Sequence, residues 1–168
     1  MKSLLLLAAL VLVAGTTVPA DTPRAGWQWP LSPRPQVLRP FAPPPQPWLS
    51  GHRGVDLVAA FDGAPVASPA AGTVSFAGVV VDRPVLTIDH GNGLRSSFEP
   101  VLSTLPTGTA VTAGQVVGQL AGTAAGGHCG SVPCLHWGVR QGGAYLDPLE
   151  FVMDLRPSVL LPLSGEPP

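Results

Sequence analysis

The stretch 51-GHRGVDLVAAFDGAPVASPAAGTVSFAGVVV-81 decides which fold this sequence predicts. Short runs rich in valine alternate here with turns that contain glycine and proline, which places strands near 55–59, 64–68 and 72–81. Short strands separated by closely spaced turns are typical of an all-β domain.

The same pattern continues toward the C-terminus. Further strands are expected near 85–90, 93–99, 109–121 and 135–140, and the turn 91-GNG-93 is a typical hairpin signal. We therefore predict one compact antiparallel all-β domain, sandwich-like or barrel-like, over residues 48–156.

One segment near the end of this domain, 148-PLEFVMDL-155, has a helical pattern. Pro148 suits the first helical position, and Asp147 before it can serve as a cap. The sequence thus predicts a single short C-terminal helix, followed by a loose tail over residues 157–168.

The first 20 residues have the features of a secretory signal peptide. Lys2 supplies a positive charge, residues 4–13 are apolar, and Val18 and Ala20 suit the cleavage positions. The apolar run is shorter than the roughly 20 residues of a transmembrane helix. We expect a secreted, extracytoplasmic protein without stable membrane insertion after cleavage, and an uncleaved N-terminal anchor is the alternative.

Residues 21–47 hold nine of the 21 prolines and are expected to form an extended arm. Apolar side chains that could pin this arm to the domain are Trp27, Trp29, Leu31, Val37, Leu38 and Phe41. After loss of Lys2 the chain has eight basic and ten acidic residues, a formal charge of −2. This balance, without a basic cluster, argues against a nucleic-acid partner. We expect a monomer.

Two segments offer metal-binding side chains. His52 and Asp56 are four residues apart, so on an extended strand they share a face, and Gly54 between them would leave space for an ion. His136, far along the chain, could complete a set of three nitrogen and oxygen ligands with one open position, as in a catalytic zinc site. Taken alone, a pair with the spacing of His52 and Asp56 is more often a surface ion pair.

The residues around these positions form ordered motifs. The run 63-GAPVASPAAGTV-74, the hairpin 111-VTAGQVVG-118 and the strand 135-LHW-137 follow His52 and Asp56 in that order. Together they resemble the M23 family of lysostaphin-like zinc peptidases, and the resemblance extends from Trp27 to about Leu155.

The resemblance implies a β-sheet groove with Zn²⁺ at its floor, bound by His52, Asp56 and His136. It further implies a zinc-dependent endopeptidase, associated with the cell wall, whose metal-activated water hydrolyses peptide bonds in peptidoglycan cross-links. Peptidoglycan peptides would then be the partner of this protein.

Two departures from the family pattern concern catalysis. The family's His-x-His motif has Cys134 in its first position here, and 98-FEPV-101 has Pro100 in place of the histidine of Tyr-x-His-Leu. Both family catalytic histidines are therefore missing. His128 or Glu99 could replace them, although the first also suits an exposed loop and the second an ordinary strand end. The alternative function is a catalytically degenerate relative that binds cell wall or regulates another hydrolase.

Cys129 and Cys134 are close together, and in an exported protein a disulfide between them is expected. The other possibility is a Cys134 thiolate that becomes a fourth metal ligand and closes the site. The run 111-VTAGQVVGQLAG-122 also resembles hairpins of biotinyl and lipoyl carriers, but their attachment requires a lysine and Lys2 is the only one.

Four further side chains near the motifs need an interpretation. His90 precedes Gly91 and Asn92 and is interpreted as a turn residue. Trp137 alternates with His136 and should lie in the core or the groove wall. Arg53 and Arg140 flank the motifs, where each could meet a substrate carboxylate or lie exposed without a function.

Overall fold

The computed structural model of the protein describes residues 26–122, 129–153 and 155. The elements of this part are β1 (Val37–Arg39), β2 (Val55–Val58), β3 (Pro65–Ala67), β4 (Gly72–Val80), β5 (Arg83–Gly91), β6 (Leu94–Glu99), β7 (Val101–Leu102), β8 (Ala110–Val111), β9 (Val116–Leu120), β10 (Cys134–Gln141), β11 (Ala144–Leu146) and α1 (Leu149–Val152). The predicted signal segment 1–20, the tail 157–168 and His128 lie outside the described residues.

The strands form two antiparallel sheets. The larger sheet has the order β1-β2-β10-β6-β5-β4-β8, with β11 paired to β10, and the smaller has the order β3-β9-β7. One cluster of buried apolar side chains includes Leu57 and Trp137 of the larger sheet and Val66 and Val117 of the smaller. The predicted all-β antiparallel fold is confirmed.

Alternation along the two central strands separates the core from the functional face. Leu57 of β2 and Leu135 and Trp137 of β10 are fully buried in the core. Asp56 is the neighbour of Leu57, and His136 lies between Leu135 and Trp137. Because side chains alternate along a strand, Asp56 and His136 point to the opposite face of the sheet. The core interpretation of Trp137 is confirmed.

Turns and strand ends differ in part from the prediction. The expected hairpin at 91–93 is confirmed, because Asn92 and Gly93 have φ values of 51° and 76°, as a type I′ turn requires. The strand predicted over 109–121 is not continuous, since a turn with Gly114 at φ 76° lies inside the motif 111–118 and divides the segment into β8 and β9. His90 lies within β5 rather than in the turn, so its interpretation as a turn residue is wrong.

The C-terminal helix is present but shorter than predicted. Asp147 accepts a hydrogen bond from the backbone nitrogen of Leu149 at 2.9 Å, while Met153 is already extended. The carbonyl of Phe151 accepts hydrogen bonds from the backbone nitrogens of Gly26 and Trp27, at 3.1 and 2.9 Å. The arm thus donates to a carbonyl group that would accept an intrahelical hydrogen bond if the helix continued.

The proline-rich arm is fixed to the domain. Its residues Val37–Arg39 form β1 at the edge of the larger sheet, a position that tolerates neighbouring prolines. Five of the six expected anchors lie in or against the core, namely Leu31, Trp27, Trp29, Val37 and Phe41. The prediction for Leu38 is wrong, because it is 44% exposed. Within the described residues, no helix is long and apolar enough to cross a membrane.

Candidate metal centre

Three side chains with metal-binding atoms converge on one face of the larger sheet. His52 Nε2 lies 3.0 Å from Asp56 Oδ1, and His136 Nδ1 lies 2.8 Å from the same oxygen. The two histidine nitrogens are 3.2 Å apart. The structure therefore brings together the three residues that the sequence analysis proposed as ligands.

Strand pairing positions two of these residues. His136 of β10 is directly opposite Asp56 of β2, and cross-strand partners of this kind share a face. His52 precedes β2 and is held by a backbone bridge to Ala42 of the arm, with hydrogen bonds of 2.7 and 3.0 Å. His52 and Asp56 share a face as expected, although the chain between them bends at Gly54.

Gly54 has a different role from the one predicted. An added Cβ at this position would lie 2.8 Å from two atoms of the His136 ring and would also meet the Trp137 carbonyl oxygen. The space beside Gly54 is therefore occupied by β10 and its histidine, and the prediction that it is left for an ion is wrong. Gly54 allows His136 to approach Asp56.

A contact with the arm determines which nitrogen of the His52 ring carries the proton. His52 Nδ1 lies 2.7 Å from the carbonyl oxygen of Pro40, and a carbonyl can only accept a hydrogen bond. Nδ1 therefore carries the proton, and in the neutral ring Nε2 is left with a lone pair directed at Asp56. Metal-binding histidines commonly have an outer hydrogen bond of this type.

The donor set fits a zinc ion. Zinc binds histidine nitrogen and carboxylate oxygen at about 2.0–2.2 Å, so tetrahedral ligand atoms lie about 3.3 Å apart. The separations of 2.8–3.2 Å are close to that value. Asp56 is only 1% exposed, and an ionised carboxylate at this depth requires a cationic partner.

The cluster opens into a groove of about 460 Å³, in agreement with the groove that the family resemblance implies. His52 is buried, whereas His136 is partly accessible from the groove. The groove is lined by Arg39, Gly51, His52, Arg53, Arg83, Ser97, Glu99, His136, Gly138 and Tyr145. A ligand in the groove would therefore lie next to the accessible side of the cluster formed by His52, Asp56 and His136.

Of the two proposed replacements for the family histidines, Glu99 lies in this groove. It ends β6 directly opposite His136, and its Oε2 accepts a hydrogen bond from Arg83 Nη1 at 3.5 Å. Pro100 beside it is buried. The catalytic assignments of Glu99 and His128 stay predictions, and the latter residue lies outside the described part of the chain.

Cys134 is joined to Cys129 by a disulfide, which confirms the expected bridge. It lies two residues before His136 on β10 and so on the same face of the sheet. A sulfur in a disulfide has no thiolate to offer, so the closed-site possibility does not apply to this oxidised protein.

His90 is partly buried and belongs to a separate hydrogen-bond network. Its Nδ1 donates to the Ala71 carbonyl at 2.9 Å, and its Nε2 accepts from the Ser96 hydroxyl at 2.9 Å. Trp137 Nε1 donates to the same hydroxyl oxygen at 3.3 Å. Burial lowers the pKa of His90 below its ordinary value, which favours this neutral, structural form.

Sequence reasoning missed Arg39, Pro40 and Tyr145 as parts of the site. The first two belong to the arm, and their place next to His52 depends on the register of β1 against β2. Tyr145 reaches the groove from β11, where its ring lies 5.9 Å from the Arg53 guanidinium carbon. None of these positions is marked by a motif.

Comparison with known proteins places this geometry in a family context. The model of peptidase family M23 matches residues 50–148, more than half of the chain. The uncharacterized protein Rv2891 of Mycobacterium tuberculosis is 44% identical over 151 residues, which cover 88% of this chain. The chain spans 58% of the length of that relative.

Solved structures give the same result. A putative peptidase M23 from Pseudomonas aeruginosa is 28% identical with a TM-score of 0.55, over 79% of this chain and 51% of that one. A zinc containing peptidase from Vibrio cholerae is 24% identical with a TM-score of 0.59, over 76% of this chain and 40% of that one. The similarity to the Vibrio cholerae peptidase shows that the two chains share a fold.

Proposed function

Because the chain belongs to peptidase family M23, we propose that it is a secreted zinc metalloendopeptidase that hydrolyses peptide bonds in peptidoglycan cross-links. One observation carries this proposal. Two histidine nitrogens and a carboxylate oxygen converge within 3.2 Å of one another at the floor of an open groove. The Vibrio cholerae neighbour, a zinc containing peptidase of the same fold, supports zinc as the ion.

His52, Asp56 and His136 would hold the metal. A zinc ion in such a site supplies Lewis acidity, which acidifies water and polarises a carbonyl group. The residues of this chain prepare the site for it: the Pro40 carbonyl fixes the protonation of His52, and Gly54 admits the His136 ring. The accessible edge of His136 leaves a side of the site open to a substrate amide.

The chemistry also needs a group that moves protons. We propose that Glu99 or His128 takes a proton from the attacking water and delivers it to the leaving amine nitrogen. Glu99 is directly opposite His136, and Arg83 orients its carboxylate through Oε2. His128 precedes Cys129, which is joined by a disulfide to Cys134, two residues before His136.

The first test measures zinc and cleavage together. The mature wild-type protein and the His52→Ala and His136→Ala variants are analysed for zinc by mass spectrometry, and release of muropeptides from purified cell wall is followed for each. We expect about one zinc per wild-type chain and loss of both properties in the variants. Equal zinc content in wild type and His52→Ala would refute the ligand assignment.

The second test separates the proton-transfer candidates. A single acid–base group contributes about 10²–10⁴-fold to a rate, so its removal should leave zinc content intact and slow cleavage by a similar factor. Glu99→Gln and His128→Ala are compared with wild type in the same assay. If both variants cleave at the wild-type rate, neither residue is the replacement.

Export is proposed from residues 1–20 and is tested by mass spectrometry of the mature protein from the culture medium and cell wall fraction. A chain that keeps residues 1–20 and stays with the membrane fraction would support the uncleaved anchor instead.

The second candidate function is a non-cutting relative that binds cell wall or regulates another hydrolase. Pro100 is buried and Cys134 is bound in a disulfide at the two positions where the family carries catalytic histidines. Cell-wall binding by wild type, with no more muropeptide release than from His136→Ala, would support this candidate against the peptidase.

A further inference from the structure

The groove carries an excess of positive charge. Three arginines in its lining, Arg39, Arg53 and Arg83, outnumber the carboxylates of Glu99 in the lining and Asp56 at the floor, while the whole chain has a formal charge of −1. A cleft lined by one sign of charge raises the local concentration of ligands of the opposite sign. The groove therefore favours an anionic ligand.

Two of the three arginines have partners within the protein. Arg53 Nη2 donates to the carbonyl oxygens of Pro47 and Leu49, at 2.6 and 3.1 Å. Arg83 pairs with Asp82 at 3.3 Å and, as already described, with Glu99. Their guanidinium groups are therefore already engaged in contacts within the protein.

Arg39 is different. Its side chain is exposed to the groove and makes no hydrogen bond or ion pair with the rest of the described chain. Its guanidinium group can therefore bind an external anion without first breaking a contact to the described residues. Arginine presents two parallel N–H groups that match a carboxylate.

Strand register places Arg39 in line with the metal-binding residues. Arg39 of β1 is opposite Asp56 of β2, Asp56 is opposite His136 of β10, and His136 is opposite Glu99 of β6. Neighbouring strands lie about 4.8 Å apart, so these four residues form a row across the groove floor. Arg39 and Glu99 occupy its two ends, on either side of the metal-binding pair.

We propose that Arg39 is a specificity residue that binds a carboxylate of an acidic peptide lying across this row. The proposal rests on the proposed function in treating the groove as a peptide site. An extended peptide rises about 3.3 Å per residue, so the carboxylate lies within about three residues of the bond at the metal-binding pair. The carboxylate lies on the Arg39 side of that bond, and Glu99 lies on the other side.

The test measures the binding of short peptides rather than the cleavage of cell wall. Each probe is an N-acetylated, C-amidated pentaglycine with one glycine replaced by glutamate, and its partner carries glutamine at the same place. All five positions are titrated calorimetrically into zinc-loaded wild type, Arg39→Gln and Arg140→Gln. Arg140 is exposed and lies outside the groove lining, which makes it a charge-matched control.

We expect wild type to prefer glutamate over glutamine by about tenfold at one position at least, which corresponds to about 1.4 kcal/mol. Arg39→Gln should lose this preference, and Arg140→Gln should keep it. No preference at any position in wild type, or an equal preference in Arg39→Gln, would overturn the proposal. A glutamate preference that depends on Arg39 without cleavage of any peptide or cell wall would refute the peptidase and leave the carboxylate site standing.

Discussion

Replacing Gly54 with alanine would test how tightly the strand that carries His136 must approach the strand that carries Asp56. The new Cβ would lie 2.8 Å from two atoms of the His136 ring, whereas ordinary contact begins at 3.4 Å. The ring would therefore have to move by at least about 0.6 Å, more than the tolerance of about 0.2 Å on metal–ligand distances. The Trp137 carbonyl, which the Cβ would also meet, belongs to a strand paired on both sides and cannot retreat easily.

Two magnitudes follow from this displacement. Overpacking of this kind costs about 1–3 kcal/mol, which lowers Tm by about 2–12 °C at about 2–4 °C per kcal/mol. Loss of ligand orientation typically weakens metal binding by about 10–100-fold, and we expect a Gly54→Ala variant to lie in this range.

The assay is competition for zinc with a chromophoric chelator, together with thermal unfolding in the presence of EDTA. Gly143→Ala is the matched control, because an added Cβ there has nothing within 4 Å and its φ is not positive. If Gly54→Ala bound zinc as tightly as Gly143→Ala and melted at the same temperature, the close approach at Gly54 would not position the site.

Two further predictions concern the disulfide and the partly buried His90. Replacing both Cys129 and Cys134 with serine should lower the free energy of unfolding, measured by chemical denaturation, by about 2 kcal/mol, because the bridge closes a short loop. The zinc content of the folded variant should equal that of wild type, and a loss of zinc in metal analysis would contradict this. Because folding lowers the pKa of His90 from 6.5, the unfolded chain binds more protons below that value, and stability should fall as the pH is lowered through 6.5. Thermal melts in EDTA should show a shallower fall for His90→Gln, and identical pH slopes would contradict the assignment.

The candidate ligands could be predicted because their positions depend on short-range patterns. Alternation along β2 and β10 directs Asp56 and His136 away from the core, and the motifs around them identify the family. Gly54 was misjudged because the side chain that fills its space comes from a strand about eighty residues later in the chain. A sequence pattern shows that a glycine leaves room but does not show what occupies it.

The contribution of the arm could not be predicted for a related reason. Its prolines correctly exclude helix, but the register of β1 against β2 is a long-range property with no local signal. That register brings Arg39 to the groove and the Pro40 carbonyl to His52. Upstream in the arm, the backbone nitrogens of Gly26 and Trp27 donate to the Phe151 carbonyl of the helix. The split of residues 109–121 into β8 and β9 depends on a turn at Gly114, whose φ is positive.

The hydrogen bond from His52 to Pro40 has a consequence for how this site can be inherited. The family match begins at residue 50, so one outer partner of the site lies upstream of the region that defines the family. Recombination at that boundary would deliver all three donor side chains into a new protein while separating His52 from the carbonyl that selects its tautomer. A chimera that joined residues 50–148 to a foreign leader would therefore need a substitute acceptor for His52 Nδ1.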